Sequence, residues 1–338
     1  MTALRGFALL TPEAPLALSR PGWDVDQPVA DPTPAGVGAL TLWGRMAPRN
    51  EAASSLLFRG TIEQLGQPDQ AGSLDSVLAP TAPWEGRGLS GPAWLPGEAG
   101  EPTLLFYQGE DGSVGVAERL ADGSLVKRTV ERPLIAAAVL AGGAESPGPA
   151  PGPVSLGRVS PVRAGTRLRL YYTVDSLRVQ FAEAELGEVR ARLSDPRAAL
   201  ALRISAPLLW ASACTVNPGK RGAAPAERLD GLSVRRVLTP AGRARFDLYA
   251  QASGGGKSAL VAASSYSGGG PGDPFLAVDA PLLAGLQNSA GSPSVTEHGG
   301  RALLLLSLRE VQLGVALARQ PTVDAEGSDG GSADAGAP

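Results

Sequence analysis

Residues 100–124, GEPTLLFYQGEDGSVGVAERLADGS, decide how the chain is read. An apolar run, LLFYQG, meets Glu-Asp-Gly, and a second run of small and apolar residues, SVGVAERL, meets Ala-Asp-Gly. Asp-Gly between such runs is a strong hairpin signal. Glycine takes the positive φ that the turn requires, and the aspartate side chain bonds the backbone just beyond it. Cutting outward at further turn signals divides residues 90–136 into SGPAWLP, EPTLLFYQG, SVGVAERL and SLVKRTVERPLI, an up-down-up-down meander. The first piece carries Gly91-Pro92, and proline disfavours helix at the residue before it. The second is apolar throughout, as expected of a strand packed on both faces.

The pattern returns. Residues 159–186, VSPVRAGTRLRLYYTVDSLRVQFAEAEL, hold Ser160-Pro161, a Gly-containing turn and two further strands. Residues 291–319, GSPSVTEHGGRALLLLSLREVQLGVALAR, hold Ser292-Pro293, a His-Gly-Gly turn and two more. The third strands SVGVAERL, LRVQFAEAEL and VQLGVALAR share an apolar-x-apolar-Ala core. Weaker copies are read at 204–266, with ISAPLLWAS as opening strand and NPGKRGAAPAERLDG as an insertion, and at 29–63, opened by Asp31-Pro32. The openings at Pro32, Pro92, Pro161, Pro207 and Pro293 lie about 65 residues apart on average, a period that points to a repeat architecture. The pieces are too short and too β-patterned for a helical solenoid. The expected fold is therefore all-β: a five-bladed β-propeller of four-stranded antiparallel blades. It is expected over residues 25–321, after an N-terminal extension, 1–24, and before an acidic tail, 322–338, that has almost nothing to bury and is read as disordered. GEVRARL at 187–193 and LIAAAVLAGG at 134–143 break the pattern and are read as single helical turns or connections.

Composition supports a turn-rich β protein and excludes several functions. The 338 residues include 44 Gly and 30 Pro, with only 19% charged. A net charge of −3, with basic residues scattered among acids, gives no general attraction to phosphate backbones, so nucleic acid is not an expected partner. No run of 18 apolar residues occurs, so no transmembrane helix is expected. The first 15 residues hold an apolar stretch shorter than the roughly 7–15 residues of a signal peptide. Cys214 is the only cysteine, excluding an intrachain disulfide, and reads as a small buried residue.

With its units laid out this way, the chain resembles the propellers of the arabinanase, levansucrase and invertase superfamily, whose relatives include family 43 and family 32 glycoside hydrolases. The X-Pro openings, the apolar second strands LLFYQG and LRLYYT, and the GVAER-type third strand carry the resemblance over roughly residues 25–320. It implies a site at the propeller axis, with an Asp base or nucleophile, a Glu acid and a further Asp that tunes the acid. One carboxyl group protonates the leaving oxygen while the other attacks or activates water. Asp31, directly before Pro32, stands where the resemblance expects the blade-opening aspartate. The Glu expected before a Gly-Pro pair is replaced by Ser90 in Ser90-Gly91-Pro92, and other openings show Ser160, Ala206 and Ser292, none of which ionises at neutral pH.

The expected function is thus a non-catalytic propeller that binds carbohydrate or an envelope protein, exported or at the cell envelope and monomeric. The alternative is a glycoside hydrolase on a plant or bacterial polysaccharide, with Asp31 as base or nucleophile and a relocated Glu, Glu85 or Glu297, as acid. Trp84 and Trp94 flank the second unit's first strand and Trp210 lies in the fourth's, where aromatic faces could stack on sugar rings. The one histidine, His298, falls in a His-Gly-Gly turn, so His-Glu-x-x-His and two-histidine sites cannot be built; no metal and no cofactor are expected. SGGGKSAL at 253–260 ends like a phosphate-binding loop, but Gln251 stands where that motif's first glycine belongs, and the segment reads as a hairpin turn.

Overall fold

The computed structural model describes residues 7–9, 22–32, 39–49, 53–62, 74–98, 100–142, 154–216, 224–239, 241–270, 272–278, 290–298, 301–308 and 312–318. Within it the two Asp-Gly-Ser turns close by one device. Asp111 accepts the backbone N–H and the hydroxyl of Ser113, both at 2.8 Å. Asp122 accepts those of Ser124 at 2.9 and 2.6 Å. They join Leu104–Gln108, Val114–Arg119 and Leu125–Lys127, and with Ser90–Leu95 in front these strands form sheet II.

Three other sheets repeat that plan. Sheet I is Trp23–Ala30, Leu40–Pro48, Leu56–Ile62 and Leu74–Leu78, and sheet IV is Arg228–Leu238, Ala244–Gly254, Lys257–Ser265 and Leu276–Val278. Sheet V takes Ala290–His298, Arg301–Leu308 and Gln312–Ala318, and its fourth strand is Phe7–Leu9. Phe7 pairs with Ala318 and Leu9 with Ala316, so a strand inside the segment read as an N-terminal extension completes the last sheet. The architecture is an all-β propeller with antiparallel four-stranded blades. The expected count of five such blades is corrected to four. Sheet III, Ser160–Ala164, Arg167–Val174 and Arg178–Glu185, has five strands: its edge is split into Arg203–Ile204 and Leu209–Trp210, which pair with different parts of the third strand. The helix Leu186–Ser194 leaves the third strand there and lets the chain return as two fragments. That helix and Ala137–Ala141 fall on the two segments that broke the sequence pattern. Among the described residues no helix is long and apolar enough to cross a membrane. The tail 322–338 lies outside the described residues.

Alternation along a pleated strand explains the continuously apolar second strands. In sheet II, Leu104 and Phe106 face Leu168, Leu170 and Tyr172 of sheet III, while Leu105 and Tyr107 face Trp43 and Leu57 of sheet I. In sheet III, Tyr171 turns the other way, toward Phe246 and Leu248 of sheet IV. In sheet I, Leu40, Leu42 and Met46 meet Leu303 and Leu305 of sheet V. Each sheet is thus a layer between two neighbours. On the remaining side the backbones of IV and V almost touch: a Cβ on Gly231 would lie 2.5 Å from Ser292 Cα.

The first strand of each sheet is innermost, and two openings differ from the sequence reading. Sheet I opens at Gln27-Pro28; Asp31-Pro32 follows the strand. Sheet IV opens with Arg228–Leu238, inside and beyond the stretch read as an insertion, and ISAPLLWAS supplies the split edge of sheet III. The shared feature is a bulge. Register slips between Asp26 and Val29, Ser90 and Ala93, Asp230 and Ser233, and Gly291 and Ser294. Gln27, Gly91, Gly231 and Ser292 lie within these slips at φ 53°, 59°, 59° and 47°.

The layered packing has a measurable consequence. Leu105→Val and Phe106→Leu, neighbours in sequence that serve different interfaces, should each cost about 1 kcal/mol. Their double variant should lose the sum to within about 0.5 kcal/mol. Urea midpoints would reveal a coupling energy above ~1 kcal/mol if both side chains shared one core.

Candidate functional site

The inner strands of all five sheets border one cavity of about 710 Å³. A second, of about 400 Å³, gathers at the bulged openings, where Gln27, Ser90, Asp230, Gly231 and Ser292 form its rim. Arg158 borders both. Along each inner strand the rim residues come first and those of the larger cavity follow, so the two spaces succeed one another along the axis.

Polar side chains cross between neighbouring inner strands here. Gln27 Oε1 accepts the N–H of Gly91 at 2.6 Å, fastening sheet I to sheet II. Gln108 donates to the Gly157 carbonyl and accepts from Val159, both at 3.2 Å, and Arg158 donates to the Pro92 carbonyl at 2.6 Å, joining II to III. Ser160 Oγ accepts from Val234 N at 2.8 Å, and Ser233 Oγ from Val295 N at 3.1 Å, joining III to IV and IV to V. Three carboxylates reach the rim. Glu110 accepts from Arg87 N at 2.8 Å, Asp111 is held by Ser113, and Asp230 accepts from the Ser176 hydroxyl at 2.5 Å with Arg228 3.7 Å away.

The structure separates the residues singled out from sequence. Asp31 lies beyond the end of the inner strand of sheet I, its side chain 1% exposed. It accepts Trp43 Nε1 at 2.9 Å and ion-pairs with Arg119 of sheet II. The Arg119 guanidinium sits 5.6 Å from the Trp94 ring, and Trp94 meets Trp43 edge-on at 5.4 Å. Asp31 therefore fastens sheets I and II, away from the bulged openings. Glu85 lies in the short turn Pro83–Glu85 between those sheets and is fully buried. It accepts the N–H groups of Thr81 and Ala82 at 2.5 and 2.9 Å, the Tyr107 hydroxyl at 2.9 Å and the Lys127 ammonium at 2.6 Å. Burial alone would raise its pKa; the backbone donors, Lys127 and Tyr107 outweigh that and hold the carboxyl below its ordinary value.

Of the tryptophans, Trp94 borders the larger cavity. Trp84 stacks on Tyr107 at 5.9 Å, donates to the Thr129 carbonyl at 2.9 Å and borders neither space. Trp210 stands half-exposed on the split edge of sheet III, with Arg178 5.9 Å from its ring. Cys214 is buried, which pushes its thiol up to about 11. Gly255 and Gly256 are the left-handed tip of a hairpin pairing Gly254 with Lys257, so the glycine-lysine string is a turn. The side chains of Glu297 and His298 lie outside the described residues. No three His, Cys, Asp or Glu side chains converge on a common point among the described residues. The proline cue passes over Gln27, four residues before Asp31, and over Asp230, because Gly231 is followed by leucine; Arg158 stands two residues before Ser160-Pro161, where no local pattern marks it.

No protein-family profile matches the chain, and no curated protein sequence does. Solved structures match over nearly its whole length. The catalytic domain of the Coprinopsis cinerea GH62 α-L-arabinofuranosidase aligns with a TM-score of 0.58 at 11% identity, over 93% of this chain and 96% of that one. An endo-arabinase from Bacteroides thetaiotaomicron gives 0.56 at 12%, over 94% and 99%. A GH62 hydrolase in complex with xylotriose gives 0.58 at 10%, over 93% and 96%. The likeness is one of fold. It agrees with the propeller that the sequence resemblance implied, at the level of glycoside-hydrolase-like architecture.

Glu85 can be tested as an anchor. Its folded-state pKa lies below the unfolded one, so its contribution to stability is present above the unfolded value, about 4.3, and is lost as pH falls through the folded value. Glu85→Gln should cost about 3 kcal/mol at pH 7, because Lys127 keeps the Ala79 carbonyl and the Thr81 hydroxyl but loses its counter-charge. In thermal melts from pH 7 down to 3, the gap between variant and wild type should narrow below about pH 4. Unchanged stability across that range would rule the anchor out.

Proposed function

We propose that the chain is a carbohydrate-binding propeller that holds a glycan without hydrolysing it. One observation carries this reading: the left-handed bulge residue before the proline that opens sheet I is Gln27, whose amide oxygen is taken up by Gly91 N. An amide neither attacks an anomeric carbon nor deprotonates water, and hydrolysis by the paired-carboxylate route requires two ionisable groups across the site. Asp26, the preceding residue, is held by Arg45 through both carboxylate oxygens and borders neither cavity. Ser90 and Ser292 at other openings carry no charge. The solved structures of like fold include an arabinofuranosidase and an endo-arabinase, and a cavity of about 710 Å³ on the axis falls within the usual size of a ligand site. On this reading sheet III serves as a fifth blade with a divided edge, Asp31 and Glu85 hold sheets together, and the site lacks its catalytic pair. An exported or envelope-facing monomer would suit it.

A second reading rests on the rim. Asp230 directly precedes Gly231 at a bulged opening, and Glu110 and Asp111 border the same space, so a hydrolase could draw its two carboxylates from these three.

Affinity electrophoresis in soluble plant and bacterial polysaccharides, run beside a panel of aryl glycosides, separates the two. Retardation by a polysaccharide with no release of aryl alcohol or reducing ends is the expected result. Turnover that disappears in Asp230→Asn or Asp31→Asn would establish the hydrolase instead.

A further inference from the structure

Six buried side-chain nitrogen or oxygen atoms among the described residues have no hydrogen-bond partner: Trp94 Nε1, Arg158 Nε and Nη1, Arg163 Nε, Arg235 Nε and Thr173 Oγ1. All but the last are N–H donors, and the four residues carrying them border the larger axial cavity. Buried donors without acceptors are uncommon, since each loses its water without compensation. Their concentration around one space is therefore informative.

The charge there has the same bias. Four arginines, Arg158, Arg163, Arg235 and Arg236, border the cavity, and Glu98 is the one carboxylate among its lining residues; Glu101 and Asp26 act on Arg163 and Arg158 from outside that lining. Arg163 is already paired with Glu98, at 2.8 Å, and with Glu101, so Arg158 and Arg235 carry the argument. Arg158 is 8% exposed; among the described residues it donates to the neutral Pro92 carbonyl, and the nearby charge of Asp26 favours its protonated form. Burial lowers its pKa to about 10, which leaves it charged at neutral pH. A recess lined by one sign of charge focuses its field on whatever enters.

We propose that this cavity, beyond the bulged rim and distinct from it, is a binding site for the carboxylate of an acidic saccharide, a uronate-containing oligosaccharide. The inference rests on the carbohydrate-binding reading and adds the ligand's class. A carboxylate supplies acceptor lone pairs to a wall that has donors to spare, and its two oxygens match the fork of a guanidinium. Arginine suits this task better than lysine because its donors are fixed in a plane. Trp94, on the same wall, adds an indole N–H and part of an aromatic face for the sugar ring.

Trigalacturonate and galactotriose, which differ at each C6 by carboxylate against hydroxymethyl, are the probes, titrated calorimetrically into wild type, Arg235→Gln and Arg158→Gln. Arg158 also holds sheet II to sheet III, whereas Arg235 contributes one long bond, 3.4 Å, to the Thr296 carbonyl of sheet V, so Arg235→Gln carries the smaller structural load and thermal melts of both variants accompany the titrations. Wild type should prefer the acidic trimer by about tenfold or more, and each variant should lose about that factor for trigalacturonate while galactotriose binding is unchanged. Affinity for the acidic trimer should also fall as salt is raised. Equal affinity for the two trimers, or acid preference untouched in both variants, overturns the inference and leaves the glycan-binding reading standing. Binding of neither trimer, nor of any polysaccharide in the electrophoresis, overturns both.

Discussion

The constraint on which this structure depends is the free edge of each inner strand. A strand at the end of a ladder presents N–H and C=O groups with no partner, and five such edges face one axis. The chain meets much of this demand with short polar side chains of neighbouring sheets: Gln27 to Gly91, Ser160 to Val234, Ser233 to Val295, and Gln108 to Gly157 and Val159. These bonds do two jobs at once. They satisfy buried backbone groups whose loss would cost about 1–3 kcal/mol each, and they set the distance between layers that otherwise touch through non-directional apolar contacts. A side chain spent in this way is not free for chemistry, as Gln27 shows.

The same economy governs the carboxylates between sheets I and II. An exposed ion pair would add about 0–1 kcal/mol. Asp31 with Arg119, and Glu85 with Lys127, are largely buried, and each is surrounded by further donors: Trp43 for one, two backbone amides and Tyr107 for the other. Desolvation is large in such places, and the additional donors offset part of it. Apolar packing and ionic fastening are combined here, with Trp43 and Trp94 in edge-on contact beside the Asp31 bridge. Asp31 and Glu85, the two acids singled out from sequence, each carry an ion pair to sheet II.

What could be read from the chain follows from what acts locally. Asp111 and Asp122 bond residues two positions on, and alternation in LLFYQ divides between two neighbours, so turns and strands were legible. Proline was a poorer guide. The bulged openings need a left-handed residue, which Gln27, Gly91, Gly231 and Ser292 supply, and proline follows only three of them. Reading proline as the cause moved the first opening to Asp31 and hid the fourth. The split edge of sheet III and the strand Phe7–Leu9 in sheet V are products of long-range pairing that no window of sequence contains. Arg158, Arg163, Arg235 and Trp94 are likewise scattered over residues 94–235, and only closure around the axis makes them one wall.

Scaffolding explains only part of that wall. A structural arginine in a propeller core would be expected to end on a carboxylate or on several carbonyls, as Arg45 ends on Asp26 and Arg245 on Asp247 in this same chain. Around the larger cavity Arg163 also ends on carboxylates, Glu98 and Glu101, whereas buried nitrogens of Arg158 and Arg235 have no acceptor among the described residues. An apolar lining of equal size would have packed the axis at less electrostatic cost. The unpaired donors of Arg158, Arg235 and Trp94 are the groups that the proposed acidic saccharide would satisfy.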